Sequence, residues 1–325
     1  MYQSQLQRSQ PAIKPYPVGA QIPYYMELGA TLYMPATRQD IGKILNQQKL
    51  TGLRSAVVCT EDSILEQELA PALTNLQLVL EQLRSSSMLR FIRPRNPEVL
   101  SQLIRIPEIR RIDGFVLPKV NEQNLPFYAE IAARIPELLL MPTLETEVAF
   151  SRRRLEALRN KLSEVGNPIL CLRIGGNDLL RLLGLRRPKQ LTIYDTPLRN
   201  VINDIILTFR PAGYALSSPV FEYLDNHDTL QREVELDIVH GLLTKTAIHP
   251  TQVPVIEAAY RVCQKDMDLA QQVLKEGAPA VFKFNSQMVE PATHYAWAEQ
   301  LLLQAELYGA CCEQPNGCLC PPKSF

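Results

Sequence analysis

Two stretches decide the reading of this chain: Leu138-Leu139-Leu140-Met141-Pro142-Thr143-Leu144-Glu145 and Ile169-Leu170-Cys171-Leu172-Arg173-Ile174-Gly175-Gly176-Asn177-Asp178. Each is a short apolar run that leads to an acidic residue. Runs of this length, bounded by turn residues, read as buried strands. A carboxylate at the carboxyl end of such a strand stands where parallel α/β folds place their chemistry. Two of them on successive strands can share one hard divalent cation and leave positions open for substrate and water.

The same pattern extends in both directions. Apolar, β-rich runs occur at 31–35, 55–60, 89–93, 114–120, 138–144, 169–174, 214–218 and 244–248. Amphipathic stretches lie between them at 65–83, 97–103, 125–135, 147–164 and 198–209. Alternation of this kind implies parallel strands joined by helical crossovers. Eight repeats fit a closed (β/α)₈ TIM barrel, which takes ~250 residues. A doubly wound open sheet is the runner-up, but it calls for a phosphate-binding glycine loop, and Gly175-Gly176 alone does not make one.

Three further helical stretches, 253–265, 269–276 and 290–308, follow the eighth strand, with a flexible connection at 277–287. The expected organisation is a flexible arm (1–27), a barrel (28–252), a helical segment serving as lid or oligomer contact (253–308), and a disordered, Cys-rich tail (309–325).

The chain has 325 residues, 46% hydrophobic and 21% charged, which is ordinary for a soluble globular protein. Lys plus Arg is 34 and Asp plus Glu is 34, so the chain lacks the basic excess of a nucleic-acid partner. Arg152-Arg153-Arg154 and Arg186-Arg187 read as solvated helix faces or ends. The first residues are polar and carry Pro11, Pro15, Pro17 and Pro23, unlike a secretory signal. No apolar run approaches the ~20 residues that span a bilayer. The expected location is the cytoplasm, without membrane contact. Cys59, Cys171 and Cys263 read as small core residues. Cys311, Cys312, Cys318 and Cys320 lack the spacing of a zinc knuckle and read as incidental or redox-sensitive thiols.

In a barrel, the strand ends build the catalytic mouth. Read in order, they bring Arg38, Glu61, Asp62, Arg93, Arg95, Lys119, Glu145, Asp178, Ser217, Ser218 and His249. An arginine fork can bind both oxygens of a carboxylate. Arginines beside a divalent cation point to an anionic substrate with a carboxylate next to a carbonyl or hydroxyl. Plainer roles compete: a helix cap for Asp178, a salt bridge for Arg93, helix N-terminal charge for Glu61 and Asp62, and a solvated loop cation for Lys119. His249, followed by Pro250 and a helix, reads as a structural hydrogen bond in a turn.

Taken in order, eight motifs resemble the citrate lyase β-subunit/malyl-CoA lyase branch of the HpcH/HpaI aldolase superfamily. They are Leu32-Tyr-Met-Pro35, Cys59-Thr-Glu-Asp62, Ile92-Arg-Pro-Arg-Asn96, Asp113-Gly-Phe-Val-Leu-Pro-Lys119, Leu144-Glu-Thr146, Gly175-Gly-Asn-Asp178, Ala247-Ile-His-Pro-Thr-Gln252 and Met288-Val-Glu-Pro291. The chain looks most similar to the divergent carbon–carbon bond lyase group of tellurium-resistance gene clusters. The resemblance implies Mg²⁺ held by Glu145 and Asp178. It implies Arg93 on the substrate carboxylate or carbonyl, Lys119 and Glu145 lining the substrate site, and Glu61 and Asp62 as the acidic pair after the second strand. Glu290 becomes a candidate general acid/base supplied by a neighbouring subunit, in a homotrimer or larger homo-oligomer. The implied substrate is a small 2-oxo acid or a β-hydroxy acyl group, with a CoA thioester among the options. The family usually has Asp-Leu-Glu-Asp where this chain begins with Cys59, Ile-Asp where it has Leu216-Ser217, and Asp where it has Glu290. The departures at Cys59 and Ser217 support the alternative, a non-catalytic barrel subunit that binds a small acid or serves assembly.

Overall fold

The computed structural model describes residues 25–311. The chain divides after Val253 into two compact units.

The first unit carries eight parallel strands: β1 (Ala30–Pro35), β2 (Ser55–Cys59), β3 (Leu89–Arg93), β4 (Gly114–Leu117), β5 (Leu139–Leu144), β6 (Leu172–Ile174), β7 (Leu216–Ser217) and β8 (Lys245–Ala247). Each pairs with its sequence neighbour from β1 to β7, and β8 pairs with β1. The ring closes where Ser218 N–H donates to Thr244 C=O at 2.9 Å and Ser218 bridges Lys245. This is a nearly closed (β/α)₈ TIM barrel, and all eight expected strands are present. β2, β4, β5 and β6 are buried along their whole length, as their apolar runs require. At Gly114, an added Cβ would lie 1.9 Å from the Leu139 carbonyl oxygen, so β4 approaches β5 only because position 114 has no side chain.

Helices Leu69–Glu81, Pro97–Leu103, Leu125–Ala132, Arg152–Leu162 and Leu198–Phe209 occupy the expected connections. Asn96 caps the second of these by accepting from Val99 N–H at 2.9 Å, with Pro97 at the first helical position. Three helices lie outside the expected amphipathic stretches: Ile41–Leu45, Gly176–Leu182 and His227–Val239.

The third of these turns two carboxylates inward. Lys245 Nζ reaches Glu233 Oε1 at 2.9 Å and Asp237 Oδ2 at 2.8 Å, and all three side chains are fully buried. Arg187, also fully buried, pairs with Glu233 and Glu222. Tyr194 Oη donates to Asp237 at 2.6 Å, and Ile193 N–H to Glu233 at 2.6 Å. The segment after Gly176–Leu182 is thereby tied to β8. Breaking a buried pair leaves an uncompensated charge, worth about 3–5 kcal/mol. Lys245→Met is expected to lower unfolding stability by about that amount, read by denaturant titration.

Of the expected arm, residues 1–24 lie outside the described residues. Residues 25–27 belong to a 3₁₀ turn, Tyr25–Leu28, that buries Tyr25, Met26 and Leu28.

In the second unit, helices Gln264–Leu274 and Pro291–Tyr308 pack around Leu269, Ala270, Val273, Val289 and Ala298. Strand β9 (Val262–Cys263) pairs with β12 (Ala310–Cys311). The stretch expected as a flexible connection instead holds an antiparallel hairpin of β10 (Phe282–Phe284) and β11 (Gln287–Val289). Phe282 and Phe284 fall on one face, which packs on that core. Asn285, at φ 52°, makes the two-residue turn. The expected tail loses its first residues to β12, and residues 312–325 lie outside the described residues. Among the described residues, no helix is long and apolar enough to cross a membrane.

Candidate active site

The mouth of the barrel brings together Glu61, Asp62, Arg93, Lys119 and Glu145. Arg93, the last residue of β3, sits between two acids. Its Nη2 lies 3.1 Å from Glu145 Oε1 and pairs with Glu61 Oε2. Burial opposes its charge, but Glu145 and Glu61 outweigh burial and raise its pKa further. The salt-bridge alternative for Arg93 is therefore real, but its partners are themselves candidate site residues.

Lys119 does two jobs. Its Nζ reaches Glu61 Oε1 at 2.5 Å and both Asp62 oxygens at 2.9 Å. Its backbone N–H donates to Glu145 Oε1 at 2.8 Å. That aim requires φ 49°, the left-handed region that side chains other than glycine rarely adopt. Asn124 Nδ2 holds the Lys119 carbonyl at 2.8 Å. Strain held by a neighbour in this way accumulates at functional sites. Burial would lower the ammonium pKa, yet the bonds to Glu61 and Asp62 raise it overall. Burial also works against ionisation of Asp62, but Lys119 outweighs it and holds Asp62 below the usual carboxylate range.

Glu145 is 2% exposed. Burial pushes its pKa up to about 7; Arg93 opposes this, and the like charge of Asp178 adds to it. The two carboxylates are thus near enough to feel one another. Asp178 lies in the first turn of the Gly176–Leu182 helix, where Gly175 is the N-cap. It pairs with exposed Arg181 at 3.1 Å, a contact of small energy. The helix-cap alternative for Asp178 does not describe this geometry. Hydrogen bonds to Glu145 end on Oε1, and those to Asp178 on Oδ1. Among the described residues, Glu145 Oε2 and Asp178 Oδ2 accept no hydrogen bond. Gly175 abuts this pair: an added Cβ would lie 2.2 Å from Glu145 Oε2. The described residues supply no third His, Cys, Asp or Glu for a metal. That suits Mg²⁺, which takes one or two carboxylates and completes its shell with water and substrate.

The other strand-end residues make local contacts. Arg38 pairs with Asp40. Arg95 staples the loop after β2, donating to the Ile64 carbonyl at 2.8 Å and to Glu66 at 2.8 Å. Ser217 and Ser218 donate to the Thr244 carbonyl at 3.3 and 3.2 Å. Cys59 Sγ accepts from Glu61 N–H. His249 Nδ1 meets Thr251 Oγ1 at 2.9 Å, the turn contact anticipated for it. Glu290 stands in the second unit. Its carbonyl accepts from Thr293 and His294 at the start of the terminal helix.

Two residues below the mouth were passed over in sequence. Arg173 and Tyr33 face one another inside the barrel, with the guanidinium 5.3 Å from the ring centre. The only signal was a single arginine inside a run otherwise as apolar as a core strand.

Known proteins resemble this chain in sequence or in fold. (3S)-malyl-CoA thioesterase of Cereibacter sphaeroides is 23% identical over 292 residues, covering 86% of this chain and 95% of the relative. The structure of CitE from Mycobacterium tuberculosis in complex with magnesium, acetoacetate and coenzyme A matches at TM-score 0.64 and 21% identity, covering 86% of this chain and 98% of that one. A citrate lyase structure from Burkholderia xenovorans LB400 matches at TM-score 0.69 and 17% identity, covering 88% and 94%. At these identities the structures establish the fold. Residues 22–310 match the family described as C-C_Bond_Lyase of the TIM-Barrel fold, and the chain belongs to that family.

Proposed function

We propose that this chain is a Mg²⁺-dependent carbon–carbon bond lyase. Its substrate is a small 2-oxo acid, or a β-hydroxy acyl group carried as a free acid or CoA thioester. The observation that carries the reading is the buried Glu145 carboxylate, held by Arg93 and the Lys119 N–H, with the like charge of Asp178 acting on it. Crystals of the Mycobacterium tuberculosis relative contain magnesium with oxaloacetate, which is consistent with this assignment.

Glu145 and Asp178 would hold the cation, which would supply a Lewis acid for a carbonyl oxygen and the negative charge that develops on it. Arg93 offers its guanidinium to the substrate carboxylate, with its plane set by Glu61 and Glu145. Glu61 and Asp62 are the acceptors for the β-hydroxyl proton when the bond breaks. Lys119 orients both acids. Glu290, contributed by a second copy in a homotrimer or larger assembly, is the acid/base for the enolate carbon.

Calorimetry with Mg²⁺ and oxaloacetate tests the reading. The acid is expected to bind only when the metal is present, and a panel of free acids and thioesters should show cleavage of a carbon–carbon bond. The thioesterase relatives favour a second reading, hydrolysis of a CoA thioester. Release of free CoA with an intact acyl carbon skeleton would select it. Binding of acid with no turnover would select a non-catalytic barrel.

The raised pKa of Glu145 has a signed consequence. In the unfolded chain the group titrates near 4.5, in the fold at about 7. Between these values the folded state holds the extra proton, so its stability falls as pH rises. The metal-free protein is expected to lose about 3 kcal/mol of stability from this group between pH 4.5 and 7. Denaturant titrations across that window measure it. Glu145→Gln should flatten the slope.

A further inference from the structure

The layer beneath Glu145 is built differently from an ordinary barrel floor. Arg173, the middle residue of β6, is 2% exposed. Its Nη2 donates to Thr246 Oγ1 on β8 at 2.6 Å, and its Nη1 lies 3.8 Å from the Met141 sulfur. Its guanidinium lies over Tyr33 on β1. No carboxylate pairs with it among the described residues. Lys245 and Arg187, the fully buried cations outside the barrel, are each held by two acids. A buried charge without a counter-charge is costly.

Thr143 on β5 is level with Arg173 in the strand register. It lies two residues before Glu145, so it faces the same way, into the barrel. Its hydroxyl is buried and has no hydrogen-bond partner. Barrel layers are normally filled by bulky branched side chains. This one holds a guanidinium, two hydroxyls and a phenol. Tyr33 and Thr246 are only partly buried, so the layer is not sealed from solvent. Tyr33 also links the two levels: burial raises its pKa, while Arg173 and then Arg93 act against that.

We propose that Arg173, with Thr143 and Thr246, forms an anion subsite that takes the second carboxylate of a dicarboxylic substrate. The proposal rests on the lyase reading for the first carboxylate, which Arg93 binds beside Glu145. Thr143 lies two residues before Glu145, a step of about 7 Å along the strand, which a four- or five-carbon diacid can bridge. Arg173 is then a specificity residue, selecting diacids over monoacids of equal length.

Succinate and butyrate, which differ by one carboxylate, are the probes. Both are titrated with saturating Mg²⁺ present, by calorimetry and by thermal melting, into the wild type, Arg173→Met and Arg173→Lys. The wild type should bind succinate about 10- to 100-fold more tightly than butyrate. Arg173→Met should abolish that preference and leave butyrate binding unchanged. Its ligand-free melting temperature should be equal or higher, because an unpaired buried charge has gone. Arg173→Lys should keep part of the preference. Thr143→Val, which removes a hydroxyl without a partner, should melt no lower than the wild type and weaken succinate several-fold.

A wild type that does not discriminate, or an Arg173→Met variant that still does, overturns the subsite. So does a ligand-free Arg173→Met protein that melts well below the wild type while Arg173→Lys melts normally, because that marks a structural cation. A succinate preference in a protein without lyase turnover sinks the reaction and leaves the subsite standing. Turnover without the preference does the reverse.

Discussion

Asp178→Ala is expected to abolish magnesium binding and to lower turnover by at least about 100-fold. Two carboxylates are a thin shell for a metal, and each supplies a large share of its charge. Glu145 alone would have to hold the ion with an oxygen whose neighbour already serves Arg93 and Lys119. Its fold-raised pKa would also fall, because the like charge of Asp178 contributes to that elevation. The variant should therefore remain folded, since Asp178 makes only a surface pair with Arg181. Calorimetry with Mg²⁺ and a turnover assay separate the outcomes. A variant with full activity would end the metal mechanism. Asp178→Asn is the sharper control, keeping the shape and removing the charge.

How much of this was legible beforehand depends on what each residue's neighbours are. The barrel could be read because each strand is a short apolar run with a distinct end, and the helices between them repeat. Glu145 and Asp178 could be read because they end such runs. The His227–Val239 helix escaped because Glu233 and Asp237, four apart, point inward to Lys245 and Arg187. On a one-dimensional pattern, those carboxylates blur the apolar stripe. The hairpin at residues 282–289 was hidden for a related reason: each strand has three residues, too few to register a period, and the turn uses Asn285-Ser286 rather than a glycine. Arg173 was absorbed into the apolar run that surrounds it. Its lack of a carboxylate partner is visible only in three dimensions. The clustering of Arg93, Lys119 and the acids required the closed ring, which places β2, β3, β4 and β5 around one mouth. The left-handed backbone at Lys119 has no sequence marker at all, because lysine is a residue that normally avoids it.

Gly175→Ala should be nearly as damaging as loss of a metal ligand, and for a reason unrelated to backbone freedom. Gly175 sits at φ −90° and ψ 77°, outside the left-handed region. The obstacle is Glu145. A methyl group at 175 would lie 2.2 Å from Glu145 Oε2 and 2.4 Å from its Cβ. A side-chain end can swing away, but a Cβ is fixed to the strand. Gly175 itself is pinned, its N–H donating to the Leu144 carbonyl at 3.1 Å. Either β5 and β6 separate or Glu145 leaves its place beside Arg93 and Lys119. Overpacking of this kind costs about 1–3 kcal/mol in stability. The activity loss should be larger, about 100-fold or more, because displacing the carboxylate disturbs the cation site and the arginine clamp together. Gly166→Ala is the matched control: an added Cβ there meets nothing within 4 Å, and its melting temperature and turnover should equal the wild type's. Steady-state kinetics and magnesium calorimetry on both variants decide the matter. If Gly175→Ala binds magnesium and turns over normally, Glu145 is not the residue through which this barrel acts.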